Sequence, residues 1–130
     1  MIVDSSAIVA ILTDEPDKRH FLLRLATSPT PPKISAANYV EVGIVIDGLG
    51  KPPIAERIDQ LLAETPIEIV PVSTELARLA RDAHRRFGRG SGSLAKLNFG
   101  DCFAYALARQ TGEPLLFKGN DFSHTDLVAA

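Results

Sequence analysis

Four carboxylates stand where an isolated acid is costly. Asp4 closes a short apolar run, Ile2-Val3, and is followed by two hydroxyls, Ser5 and Ser6, and then by a second apolar run. Glu41 lies inside an otherwise apolar helix-like stretch from Tyr39 to Ile46. Asp101 falls in the opening turn of a helix announced by Asn98-Phe99-Gly100. Asp121 follows the strand-like Leu115-Leu116-Phe117 by way of Lys118-Gly119-Asn120. Burying a carboxylate is expensive unless a cation or hydrogen bonds hold it. Carboxylates gathered without histidine or cysteine suit hard cations, and magnesium and manganese take oxygen ligands. One or two such ions clamp a phosphodiester, lower the pKa of a bound water and stabilise an in-line displacement. Without a cation the same acids repel and raise one another's pKa.

To meet, these acids need elements that carry them to one edge. Ile2-Val3 reads as a strand delivering Asp4, and Ser6 to about Leu12 as a short helix capped by serine. Thr13-Asp14-Glu15-Pro16 has helix-opening chemistry, Phe21, Leu22 and Leu25 supply an apolar face, and the prolines at 29, 31 and 32 end that helix. Lys33-Ile34-Ser35 is a second strand. Ala36 to about Leu49 follows as a helix apolar nearly all round, expected to be covered by the core on one side and by a second subunit on another. Ile54 to about Glu64 is amphipathic, Ile67 to Val72 is strand-like, and Ser73-Thr74-Glu75 caps a helix with Leu76, Leu79, Ala80, Ala83 and Phe87 on its inner face. Gly88 ends it. The helix from Cys102 to about Thr111 closes on Gly112 in the left-handed region, Pro114 to Phe117 is a strand, and Leu127-Val128 is a final edge strand. Strands alternating with helices predict an α/β fold, a parallel sheet of four to five strands flanked by helices, in a single domain spanning residues 1–130. Right-handed crossovers put strand carboxyl ends and helix starts on one edge. Asp4, Asp101 and Asp121 then converge there, and Glu41 reaches up from its helix.

The 130 residues are 45% hydrophobic and 23% charged, ordinary for one folded core. A single cysteine, Cys102, excludes an internal disulfide and a cysteine zinc cluster, and fits a reducing compartment. The apolar N-terminus lacks a basic n-region and a small-residue cleavage site. It is also far shorter than the ~20 residues of a spanning helix. A cytoplasmic location and no membrane partner are expected. A net charge of −2 gives no global pull towards nucleic acid, so any such contact needs a local patch. Arg78, Arg81, Arg85 and Arg86, continuing into Arg89 and Lys96, supply one, and Lys118 lies beside Asp121. These cations read as RNA phosphate contacts or as a solvated helix face complementing its own C-terminus. His20, His84 and His124 are scattered, and Cys102 reads as a small core residue.

Each acid also has a bland reading. Asp101 serves as favourable charge at a helix N-terminus, Asp121 as a turn residue, and Glu41 as a snorkelling or arginine-paired acid. Asp4 resists such a reading, because it interrupts an apolar run at a strand end.

Together, Met1-Ile-Val-Asp-Ser-Ser-Ala7, Glu41 in its apolar helix, Asn98-Phe99-Gly100-Asp101-Cys102 and Leu116-Phe117-Lys118-Gly119-Asn120-Asp121-Phe122 resemble a PIN-domain ribonuclease. More narrowly, they resemble the VapC toxins of bacterial toxin–antitoxin pairs, from Ile2 to about Leu127. The resemblance implies a three-layer PIN-like fold and an acidic pocket that binds Mg2+ or Mn2+ and cuts RNA to 5′-phosphate and 3′-hydroxyl ends. Asp4, Glu41 and Asp101 match the family's core acids, and Ser5 and Ser6 match hydroxyls beside the first of them. Asp121 stands as the fourth acid, with Asp126 in a supporting role, although Gly119-Asn120 departs from relatives that carry a further acid in that turn. The resemblance also implies an RNA substrate, a cognate antitoxin that blocks the pocket and a higher assembly with antitoxin bound, while the apolar Tyr39 and Val42–Ile46 stretch reads as a homodimer face or as plain core packing. Rival readings are a non-catalytic PIN-like RNA- or protein-binding module and a housekeeping RNA-processing nuclease. A haloacid-dehalogenase-type phosphatase ranks below these, since Ser6 stands where that class has its second aspartate.

Overall fold

A computed structural model describes all 130 residues. The chain runs β1 (Ile2–Val3), α1 (Ser5–Leu12), α2 (Lys18–Ala26), β2 (Lys33–Ser35), α3 (Ala36–Asp47), α4 (Pro52–Ala55), α5 (Arg57–Glu64), β3 (Glu68–Val70), α6 (Thr74–Phe87), α7 (Phe99–Thr111) and β4 (Leu115–Leu116), and then a 3-10 turn over Asp121–His124. The strands form one parallel sheet in the order β3-β2-β1-β4. The first three strands step outward in one direction and β4 returns to the other side of β1. The strand order therefore reverses beside β1, the position where open α/β sheets bind ligands at the strand carboxyl ends.

Alternate residues of a strand face opposite sides of the sheet. Val3, Ile34 and Leu116 pack with Ile8, Ile11, Leu12, Phe21, Val42, Ile46 and Leu61, from α1, α2, α3 and α5. Ile2 and Leu115 pack the other way, with Leu76, Ala83, Leu97, Tyr105 and Leu107 in the α6–α7 layer. Each fully buried leucine or isoleucine contributes about 1.5–3 kcal/mol, so a short sheet is held by its two apolar faces more than by its few ladder bonds. The expected parallel sheet, with helices on both faces, is what the chain forms.

Several local expectations need correction. The first helix is capped by Asp4 itself, whose carboxylate accepts from the Ser6 N–H, so Ser5 and Ser6 are already helical. The segment at 13–16 is turn rather than helix, and Asp14 there has φ 57°. The amphipathic stretch from Ile54 is broken into α4 and α5 at Glu56. The expected last strand is reduced to a bridge between Leu115 and Ala129. Gly112 does close α7 in the left-handed region, at φ 70°. On α3, Asn38, Val42 and Ile46 are buried, whereas Val40 and Ile44 are 55% and 68% exposed, so only one of the two expected faces is covered in the monomer.

Candidate active site

Asp4 sits at the carboxyl end of β1 and is 2% exposed. Its backbone N–H donates to the Leu116 carbonyl at 2.9 Å, which pins it to β4. Its Oδ2 accepts from the Ser6 N–H at 2.9 Å and the Ser6 hydroxyl at 2.5 Å. The same hydroxyl accepts from the Lys118 N–H at 3.0 Å, so one serine ties the first acid to the turn after β4. The other oxygen, Oδ1, is buried with no partner. Burial is the main cause that raises the Asp4 pKa, with the Glu41 charge adding to it and the Ser6 bonds opposing. An unpaired, dry carboxylate oxygen is a costly feature for a fold to keep.

Glu41 reaches this point from α3. Its Oε2 accepts from the Ser5 hydroxyl at 2.5 Å and from Asn38 Nδ2 at 3.3 Å. Asn38 lies three residues earlier on the same helix, is fully buried, and also donates to the Gly100 carbonyl at 3.0 Å. Gly100 explains why the approach is possible, because a Cβ at that position would land on the Glu41 carboxylate.

Asp101 forms a capping box. Its Oδ2 accepts from the Asn98 N–H at 2.8 Å, and Asn98 Oδ1 accepts from the Asp101 N–H at 2.9 Å. The structural reading of this residue is therefore correct as far as it goes. It does not account for the energetics, since the pKa is raised to about 7, first by burial and then by the charges of Asp4, Asp121 and Glu41. A cap chosen for stability alone would be better placed in water. Asp121 begins the 3-10 turn, stays exposed, and acts on Asp101 through its charge.

The structure separates other candidates from this cluster. Asp126 accepts from the Tyr105 hydroxyl at 2.6 Å and pairs with Arg86 at 3.3 Å and Arg109 at 3.7 Å. The supporting role expected for it is thus corrected: it neutralises cations beside the middle and C-terminal half of α7, away from the acids at the helix start. Burial and the Asp126 hydrogen bond push the Tyr105 hydroxyl up to about 12. Arg86 is committed to Asp126 and Tyr105 and leans over the Phe87 ring, 4.7 Å from its centroid, so it leaves the set of free RNA contacts. Lys118 pairs with Glu15 and Asp17. Arg78, Arg81, Arg85, Arg89 and Lys96 remain exposed. Asn38 and Gly100 were missed in the sequence. The signal for Asn38 was a second polar residue on the same face of an apolar helix as Glu41, one turn away.

No three histidine, cysteine or acid side chains form a ready-made metal cage. The donor set nevertheless fits magnesium or manganese, because magnesium keeps several waters and uses one or two carboxylates with substrate phosphates. The unpaired Asp4 Oδ1 and the proton-retaining Asp101 are the two groups a cation would relieve.

The family model that matches is described as PIN domain and covers residues 1–128. Among curated proteins, the chain is 51% identical to ribonuclease VapC28 of Mycobacterium tuberculosis over 130 residues, covering 100% of this chain and 97% of that one. It is 46% identical to ribonuclease VapC42 of the same species, covering 100% and 98%. Among solved structures, M. tuberculosis VapC20, a sarcin-ricin loop cleaving toxin, superposes with a TM-score of 0.80 at 18% identity, covering 99% of this chain and 97% of that one. A toxin–antitoxin complex from Klebsiella pneumoniae gives a TM-score of 0.74 at 18% identity, covering 99% and 95%. These two show the shared fold. PIN-domain ribonucleases of this type are generally metal-dependent. The chain belongs to the PIN-domain family and, within it, to the VapC ribonucleases, the endoribonuclease toxins of toxin–antitoxin pairs.

Proposed function

We propose that Asp4, Glu41 and Asp101, with Asp121 at the rim, are the centre at which this chain cuts RNA with Mg2+ or Mn2+. The observation that carries the reading is the Asp4 carboxylate, buried at a strand end with one oxygen unpaired beside a second acid that retains its proton to about pH 7. Asp4 and Asp101 would hold the cation. When bound, it supplies charge to the scissile phosphate and lowers the pKa of the attacking water. Glu41, fixed through Oε2 by Ser5 and Asn38, keeps Oε1 free to orient that water and take its proton. Ser6 holds Asp4 in register with the turn that carries Asp121. Arg78, Arg81, Arg85, Arg89 and Lys96 supply phosphate contacts that position the strand without reading its sequence.

The partners follow from the same surfaces. An uncompensated acidic cluster is open to a cationic side chain as well as to a metal, which suits an antitoxin that inserts an arginine there. The bare face of α3, with Val40 and Ile44 one turn apart, suits a homodimer, and antitoxin binding would join such dimers into a larger assembly. Light scattering tests this directly, since Ile44→Asp is expected to halve the mass in solution. For the catalytic reading, purified protein is incubated with structured RNA in Mn2+, in Mg2+, in chelator, and as Asp4→Asn. Cleavage is expected in the first two alone, and cleavage that survives chelator or the substitution sinks the mechanism.

A further inference from the structure

The acids leave the surface beside them unexplained. Phe99, the first residue of α7, is 77% exposed, whereas every residue from Gly100 to Ala108 is buried except the half-buried Phe103. The two rings meet edge to face with centroids 5.0 Å apart. They line an open cavity of about 380 Å3 between α6 and α7, together with Ala77, Ala80, Arg81, His84 and Cys102. Phe99 and Asp101 are the first and third residues of one helix, so the aromatic wall and the acid share the N-terminal turn of α7 while facing different sides of it, about the reach of one nucleotide apart. A phenylalanine left in water forgoes the roughly 1.5–3 kcal/mol that its burial would contribute, which an occupant covering it could recover.

The lining defines the occupant. Two aromatic rings offer a stacking wall, Arg81 and His84 offer donors at its border, and Arg78 and Arg85 continue the cationic rim along the same helix face as Arg81. A flat group with an apolar face, polar edges and an attached anion matches that combination, whereas an apolar peptide would leave the cations unused. The volume lies at the small end of ligand cavities, about 300–1,000 Å3. Proteins hold unpaired RNA bases on aromatic side chains and guanidinium planes in this manner. We propose that the α6–α7 groove is a nucleobase subsite: an unpaired base next to the scissile phosphate leaves its stack and lies against Phe99 and Phe103, with its phosphate on Arg81. The inference rests on the RNA-cutting reading above. It assigns selection of the cut site to unpaired bases that can reach this wall.

The test compares wild type, Phe99→Ala and Phe99→Trp on one structured RNA in Mn2+, with cut sites mapped and kcat and KM measured. A parallel series in chelator uses oligonucleotides carrying 2-aminopurine at each position around the cut, and reads quenching on binding. Loss of one stacked base corresponds to a KM increase of roughly 5- to 150-fold for Phe99→Ala. Quenching is expected at one position in the wild type and in Phe99→Trp and to vanish in Phe99→Ala, with the cut sites redistributed only in the last. The thermal midpoint is expected to stay unchanged, because the ring is exposed. Wild-type KM, cut sites and quenching in Phe99→Ala overturn the proposal. So does a Phe99→Ala protein that keeps those parameters and loses only inhibition by the antitoxin, which would assign the groove to a protein. A wild type that quenches one base and never cuts would keep the subsite and remove the nuclease reading, whereas one that does neither removes both.

Discussion

Replacing Asp101 by asparagine is expected to abolish cleavage and, in chelator, to make the protein more stable. The amide keeps an acceptor for the Asn98 N–H, so the capping box survives. What it removes is a charge that the fold penalises. The Asp101 pKa is raised from 3.8 to about 7, and burial is the main cause. Between those values the folded chain keeps a proton that the unfolded chain has lost, so stability falls as pH rises through that window and levels off above it. The full shift corresponds to a ceiling of about 4 kcal/mol, which water access at the site reduces to roughly 2 kcal/mol. For a chain of this length that is a midpoint rise of about 7 °C at alkaline pH, shrinking towards zero below about pH 4. Thermal unfolding in chelator at several pH values measures the difference between wild type and variant. Added Mn2+ is expected to raise the wild-type midpoint and leave the variant's unchanged. An Asp101→Asn protein that is less stable than wild type at alkaline pH in chelator would refute the reasoning, since the acid would then be a stabilising cap and nothing more.

The remaining predictions concern the supports. Gly100→Ala drives a Cβ into the Glu41 carboxylate, so kcat is expected to fall at least tenfold while RNA affinity in chelator stays within twofold. Asn38→Ala removes two hydrogen bonds, to Glu41 and to the Gly100 carbonyl, and so releases Glu41, for a loss of about 1–3 kcal/mol in urea unfolding together with a fall in kcat. Arg86→Ala breaks an exposed pair and is expected to change stability by about 1 kcal/mol or less, with RNA affinity unaltered. Arg85→Ala is expected to weaken RNA binding and reduce its salt dependence by about one counterion, which filter binding at several salt concentrations would show.

How much of this was legible in the residues varies with the kind of interaction. Asp4 was readable because a carboxylate ending an apolar run has no inexpensive local explanation, and the alternation of strands with helices follows from local periodicity. The opening motif, Glu41, the Asn98–Cys102 run and the turn after β4 together indicated the family that the comparisons show. Strand order was not readable, because it depends on which apolar faces pack across the sheet. Gly100 could not be singled out, since its function is the absence of a side chain opposite Glu41, a residue on a helix distant in sequence. Asp126 was misplaced for a similar reason. Sequence proximity linked it to Asp121, whereas the fold carries it to Arg86, Tyr105 and Arg109. Arg86 looked like one more cation of a basic face until that pairing removed it.

The central claim is that the buried acids at the end of β1 form a cation-holding catalytic centre. Calorimetric titration of Mn2+ into the metal-free protein near pH 7 tests it most directly, with Asp4→Asn titrated alongside. The account predicts saturable binding with proton release, because Asp101 must give up its proton to take a cation, and it predicts loss of that binding in Asp4→Asn. Absence of binding in the wild type, or equal binding in the variant, would contradict it.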